Sequence, residues 1–254
     1  MKKPKKILII CKKKYCLLTR SIHDHLLGHS IPVQIVHRDE LTKQMTRGVD
    51  FIIITGGDGT FLQSSHYILK STPVMGINPD PPTSYGFYTG KNHTDYMKKI
   101  HKVLQGKQKY TKLYRLKVTI GKRIVPLRVL NEVFYANQNP AQITYYRING
   151  EMQMSSGVII STASGSTAWS KSAGGMVLPI TSDKFQFIVR EPYVNKFPES
   201  KNFHQVMKKN QKVEIEDLMG DSFIAIDGTE VSYTLKKGQK LVVGVAKEAL
   251  NIIL

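Results

Sequence analysis

Residues Asp50 to Thr55 read DFIIIT and run directly into Gly56-Gly57-Asp58-Gly59-Thr60. A short apolar run without polar alternation is the pattern of a strand buried on both faces, as in a parallel sheet covered by helices. The glycines behind it predict a tight turn into a helix over Phe61 to Leu69. The first part of the chain is thereby committed to alternating strands and helices. Lys5 to Cys11 is a second apolar run, Leu17, Leu18, Ile22, Leu26 and Leu27 follow at helical spacing, and Ile31 to Val36 reads as a further strand. The expectation is a Rossmann-like, doubly wound α/β domain over residues 1–97.

Past Lys98 the pattern changes to short runs: Leu113 to Ile120, Val125 to Val129, Val133 to Ala136, Ile143 to Ile148, Gly157 to Ser161, Phe185 to Val189, Val213 to Ile215, Phe223 to Ile226 and Val231 to Leu235. Many short strands with turn signals between them predict a β-sandwich. The second domain is therefore expected over 98–245, and the fold class is α/β plus all-β. The apolar tail 246–254 needs a packing partner and is free to return to the first domain.

The composition, 41% hydrophobic and 22% charged, excludes collagen-like, low-complexity and disordered classes. The longest apolar stretch, Ile7 to Cys11, is far short of the roughly 20 residues of a membrane helix, so no membrane partner is expected. The MKKPKK start leads into no small-residue cleavage site, and the expectation is a cytoplasmic protein. Cys11 and Cys16 match neither CxxC nor a zinc pair and read as reduced thiols. The net charge of +18 attracts polyanions, among them nucleotides, polyphosphate and nucleic acid. Because the lysines are scattered, it fits a solvated surface equally well.

Three constellations carry chemistry. In GGDGT, a glycine turn lets backbone approach a phosphate and the helix N-terminus offers unpaired N–H groups. A carboxylate at its centre would repel that phosphate, so Asp58 faces a hydroxyl or a metal, or else only caps the turn. In GVIISTASGSTAWSKSAGG, from Gly157 to Gly175, seven hydroxyls lie between Ser161 and Ser172. They suit a sugar, a base edge or a phosphate, or form a solvated loop. In LNEVFYA, Asn131 and Glu132 interrupt an apolar segment; the pair suits a ribose diol or an edge strand.

GGDGT after a buried strand, a downstream Asn-Glu, the STASGSTAWSKSAGG block and a late Asp227-Gly228 stand in the order found in NAD kinases. The chain resembles that family from about Asp50 to Gly228. NPDPPTSYG (Asn78 to Gly86), Ser155-Ser156-Gly157, Ala168-Trp169-Ser170 and Arg190-Glu191-Pro192 are closer to its mitochondrial-type branch. The resemblance implies that Asp58 is the catalytic carboxylate beside the acceptor hydroxyl, with Gly57, Gly59 and Thr60 along the phosphates and Phe87 flanking the nucleotide. It implies that Asn131 and Glu132 hold a ribose of NAD and that Ser164, Thr167, Ala168 and Trp169 contact the adenine or its neighbours. Ser156, Arg190 and Asp227 complete the nucleotide-contacting set, with Lys196 a further candidate cation.

Three positions depart from the family pattern: Ser156 for an aspartate, Ala163 for the proline of S-T-P, and Met176 for a proline after Gly-Gly. The first leaves the choice between NAD and NADH open. The resemblance implies Mg²⁺ with the phosphate donor, ATP and NAD as substrates with polyphosphate as another donor, and a homodimer or homotetramer with a shared site. No protein-built metal site is visible, and no nucleic-acid partner is expected. The competing readings are a diacylglycerol-type lipid kinase on the same scaffold, which would call for an apolar channel, and a nucleotide- or nucleic-acid-binding protein without catalysis.

Overall fold

In a computed structural model, residues 2–12, 17–69, 71–79, 86–90, 95–195, 203–228 and 230–254 are described. The chain divides into two compact units, residues 1–112 with 248–254, and residues 113–247.

The first unit is built on strands β1 (Ile7–Cys11), β2 (Val33–His37), β3 (Phe51–Thr55) and β4 (Val74–Ile77), together with β18 (Leu250–Ile253) and β5 (Thr111–Leu113), in the spatial order β2-β1-β3-β4-β18-β5. The pairs β1 with β2, β1 with β3, β3 with β4 and β4 with β18 are parallel. Every residue of β1 and β3 is buried, as their unbroken apolar runs require. Helix α1 (Leu17–Gly28) buries Thr19, Ile22 and Leu26, spaced three and four apart, and leaves Leu17 and Leu27 exposed. Helix α2 (Asp58–Ser65) starts at the glycine turn, three residues earlier than the apolar pattern suggests, because Gly57 already caps it in an extended conformation.

The break between the units falls after Lys112, not near Asn92 to Ile100. The reason is helix α3 (Tyr96–Leu104), whose Ile100, Val103 and Leu104 join Ile7, Ile9, Phe51 and Ile53 in the first unit's core. The apolar tail is β18, a parallel neighbour of β4.

The second unit holds two six-stranded sheets. One runs β10 (Glu151–Ser155), β9 (Thr144–Ile148), β14 (Lys212–Asp217), β17 (Lys240–Val245), β6 (Leu116–Ile120), β7 (Arg123–Ile124). The other runs β13 (His204–Met207), β12 (Phe185–Arg190), β11 (Gly157–Thr162), β8 (Glu132–Asn137), β15 (Ser222–Ile226), β16 (Ser232–Leu235). One apolar core takes Val118, Tyr146, Ile215 and Val243 from the first sheet and Tyr135, Val158, Phe187 and Ile224 from the second, the packing of a sandwich.

Two expected strands differ. Leu113 to Ile120 is broken at Tyr114-Arg115 into β5 and β6. Val125 to Val129 forms no strand: Pro126 lacks the donor a ladder needs, and Val129 makes only an isolated bridge to Leu116.

Candidate active site

In the first unit the site is assembled around Asp58. As the first residue of α2 it places its negative charge at the helix's positive end. Its carboxylate also reaches across to the turn that follows β4: Oδ2 accepts the Phe87 N–H at 2.7 Å, and Oδ1 accepts the Tyr88 N–H at 2.9 Å and the Thr89 hydroxyl at 3.2 Å. The turn is closed by a Gly90 N–H to Gly86 carbonyl bond. Only glycine fits at 86, where φ is +67° and a Cβ would collide with the Gly90 carbonyl oxygen. The Asn78 N–H on the Thr89 carbonyl ties the turn to the end of β4. Asp58 thus clamps the Phe87–Thr89 backbone. Two ionised carboxylate oxygens offer about four lone-pair sites, so Oδ2, with one donor, keeps room for another. Gly59 is exposed, Gly57 and Phe87 are half-buried, and Thr60 is buried, packed against Gly56. Thr89, which the residue pattern did not single out, belongs to the site through its hydroxyl; a contact 31 positions from Asp58 leaves no local signal.

In the second unit a different carboxylate does the same to another segment. Asp227 Oδ2 accepts the Leu130 N–H at 2.8 Å, and Oδ1 accepts the N–H groups of Asn131 at 2.7 Å and Glu132 at 3.1 Å. The carbonyl side of the segment is tied to the end of β11. Thr162 and Ser164 donate their hydroxyls to the Leu130 carbonyl at 2.6 and 2.9 Å, and the Thr162 N–H donates to the Asn131 carbonyl. Gly165, in the short 3-10 turn Ser164–Thr167, packs so closely that an added Cβ would stand 2.6 Å from the Asn131 Cα. Asn131, Glu132, Ser164 and Asp227 are therefore brought together, with Thr162, one of the hydroxyls of the Ser161 to Ser172 block, joining them. The Ser164 hydroxyl is committed to the protein, so its contribution here is to shape the turn.

Glu132 is 7% exposed, and its Oε2 has no hydrogen-bond partner among the described residues. Burial first, and the Asp227 carboxylate second, push its carboxyl up from 4.5 to about 8. A buried, unpartnered carboxyl oxygen costs free energy unless something else meets it.

Beyond the turn, Thr167 is exposed and Ala168 half-buried. Helix α4 (Trp169–Ser172) opens with Trp169, whose ring centroid lies 4.6 Å from that of Phe134. The Arg190 guanidinium stands over both rings, 5.4 Å from Trp169 and 5.5 Å from Phe134. Arg190 also meets Glu191 at 3.3 Å, and its carbonyl accepts the N–H of half-buried Ser156. Ser156, Trp169 and Arg190 are neighbours in this way. Lys196 and the stretch 80–85 of the Asn78 to Gly86 motif lie outside the described residues. A cavity of about 740 Å³ in the same unit, lined by Ile120, Arg123, Phe223 and Tyr233, contains none of the predicted residues.

No group of three or more His, Cys, Asp or Glu that could hold a metal is present among the described residues, and none of their helices is long and apolar enough to cross a membrane. Cys11 is buried, and its thiol donates toward the Val36 carbonyl at 3.6 Å.

Comparison with known proteins finds relatives for both units. The model of the ATP-NAD kinase N-terminal domain matches residues 9–108, and that of the ATP-NAD kinase C-terminal domain matches residues 130–254. A probable NADH kinase of Oryza sativa is 27% identical over 244 residues, 86% of this chain and 75% of the relative. NAD kinase 2, mitochondrial, of Homo sapiens is 29% identical over 196 residues, 59% of this chain and 44% of its own length. The crystal structure of an NAD kinase from Archaeoglobus fulgidus in complex with ATP superposes with a TM-score of 0.79 at 20% identity, over 98% of this chain and 93% of that one, a likeness of fold. With both family models matched across its two units, the chain belongs to the NAD kinase family.

Proposed function

We propose that the chain transfers a phosphoryl group from ATP to the adenosine 2′-hydroxyl of NAD, giving NADP and ADP. In this reaction the hydroxyl oxygen bonds to the terminal phosphorus of the donor, the bridging bond to the β-phosphate breaks, and the hydroxyl proton leaves. The transition state is loose and highly charged, so the protein's part is positioning and charge neutralisation. Family membership sets the reaction class. The observation that carries the residue roles is the carboxylate of Asp58, held rigid by three donors with a lone pair of Oδ2 to spare. It would orient the acceptor hydroxyl and take up its proton.

The second unit would hold the nucleotide. Asn131 and the buried Glu132 carboxyl suit ribose hydroxyls, and the partly exposed Trp169 offers a ring face to a base. Gly57, Gly59 and the N-terminal N–H groups of α2 suit phosphate oxygens. The donor would enter as its magnesium complex, since Mg²⁺ is readily held by phosphates and water. When bound, the ion offsets phosphate charge.

A homo-oligomer fits the exposed Met176-Val177 and Tyr193-Val194 pairs of the second unit, 46% to 56% exposed.

The test is to incubate the purified chain with NAD or NADH, Mg²⁺ and either ATP or polyphosphate, and to measure NADP(H) with an NADP-specific dehydrogenase. Product in at least one nucleotide and donor combination is expected. Its absence from all four, with a folded protein, rejects the activity.

A further inference from the structure

Asp227 stands in the left-handed region at φ +49° without being a glycine, and Gly228 follows at φ +111°. Such backbone persists where surrounding bonds over-determine it. Here they do: the carboxylate accepts three successive N–H groups, those of Leu130, Asn131 and Glu132, and the Asp227 N–H donates in return to the Glu132 carbonyl at 3.0 Å. Three consecutive donors turned toward one point cannot belong to a ladder, in which successive N–H groups alternate in direction. Leu130 and Asn131 are thus held out of strand geometry just before β8 begins at Glu132, with the Leu130 carbonyl fixed from the opposite side by Thr162 and Ser164. The group left unsatisfied in this frame is Glu132 Oε2.

We propose that Asp227 is a positioning residue, whose carboxylate shapes Leu130 to Glu132 and so sets the buried, unmatched Glu132 carboxyl where it hydrogen-bonds the bound nucleotide. The nucleotide part rests on the NAD-binding reading above; the positioning of Glu132 does not. The Glu132 N–H stands 3.1 Å from Asp227 Oδ1, and a buried carboxyl with a second carboxylate on its own backbone resists ionisation, through burial first and the neighbouring charge second. Asp227 is the charged group that bears on Glu132. The flanking strands contribute Ser161 opposite Glu132 on β11 and Ile226 opposite Val133 on β15, neither of them ionised near neutrality. The raised Glu132 carboxyl, at about 8, is consistent with this. A protonated carboxyl is one donor plus remaining acceptor capacity, whereas the ionised form only accepts.

The experiment compares the full chain with Asp227→Asn and with the isosteric Glu132→Gln. Two readouts are taken without phosphate donor from pH 5.5 to 9.5: the carboxyl titration of Glu132 in ¹³C-glutamate-labelled protein, and the NAD dissociation constant by calorimetry. Asp227→Asn removes the charge and sets an amide N–H against a backbone donor. It is expected to lower the Glu132 titration midpoint and to weaken NAD binding about tenfold at pH 7. Glu132→Gln is expected to remove the titrating signal and flatten the weakening of NAD binding that the unaltered chain shows above about pH 8. A Glu132 midpoint in the ordinary carboxylate range, or one unmoved by Asp227→Asn, overturns the proposal. If Asp227→Asn does not fold, a pH dependence of binding that survives Glu132→Gln overturns it instead. A midpoint that shifts as expected in a chain that binds no NAD at any pH supports the positioning of Glu132 and counts against the NAD reading alone.

Discussion

The carboxylate of Asp58 holds the backbone N–H of Phe87 at 2.7 Å, and through it a turn 29 positions away in the chain. The residue proposed as the catalytic base is therefore also a structural clamp, and the two roles respond differently to substitution.

Asp58→Asn keeps one oxygen for the backbone donors but loses the charge. Turnover should fall by about 10² to 10⁴ while NAD affinity stays within a few-fold. Asp58→Ala removes the clamp as well and should cost a further ~1–3 kcal/mol of stability through unsatisfied donors. Rates of NADP formation and denaturant midpoints on the same preparations check both. An Asn variant that retains nearly full turnover would reduce Asp58 to a clamp.

Gly165→Ala should act through the backbone. The added methyl meets the Asn131 main chain, which is tied on both sides and cannot give way. The expected cost is about 1–3 kcal/mol by urea denaturation, with a weaker hold on NAD. The control Gly174→Ala meets nothing within 4 Å of the new atom, although its φ of +86° adds backbone strain; it should leave NAD affinity unchanged.

Stability should fall with rising pH through Glu132. Its carboxyl binds a proton up to about 8 when folded, against 4.5 for the free side chain. Below 4.5 both states are protonated and the group contributes nothing. Between 4.5 and 8 the unfolded chain releases the proton while the folded one keeps it, so stability declines, and above 8 the loss is complete. Glu132→Gln should remove a penalty of a few kcal/mol at pH 8.5 and be nearly neutral at pH 4.5. Chemical denaturation of both proteins at the two pH values measures it.

Trp169 is the chain's single tryptophan and is 39% exposed, so its fluorescence reports one place. If the nucleotide stacks there, titration with NADH should quench its emission with energy transfer to the reduced ring, and Trp169→Phe should abolish the signal without unfolding the protein. An emission indifferent to saturating NADH would place the ring away from the ligand.

The residue pattern made much of this legible. Unbroken apolar runs at Ile7 to Cys11 and Phe51 to Thr55 can only be satisfied by burial on both faces, and they are the parallel strands β1 and β3. The glycine turn behind β3 identifies where α2 begins, because φ/ψ freedom and close approach are properties of residue type. The amphipathic stripe of α3 was equally present in the residues. Its assignment to the first unit was not, because periodicity gives an apolar face without naming the core that receives it.

By itself, then, the sequence determined the sheet-forming runs, the order of motifs and the family. Only the tertiary structure decided that Asp58 and Asp227 each spend their carboxylates on three donors, that Ser164 turns its hydroxyl onto Leu130, and that Glu132 is left with an unmatched oxygen. The physical reason is that most of these partners are main-chain N–H and carbonyl groups. Nearly every residue carries the same two, so which of them meets a given carboxylate is set by how distant strands converge and leaves no mark in the identity of the side chains.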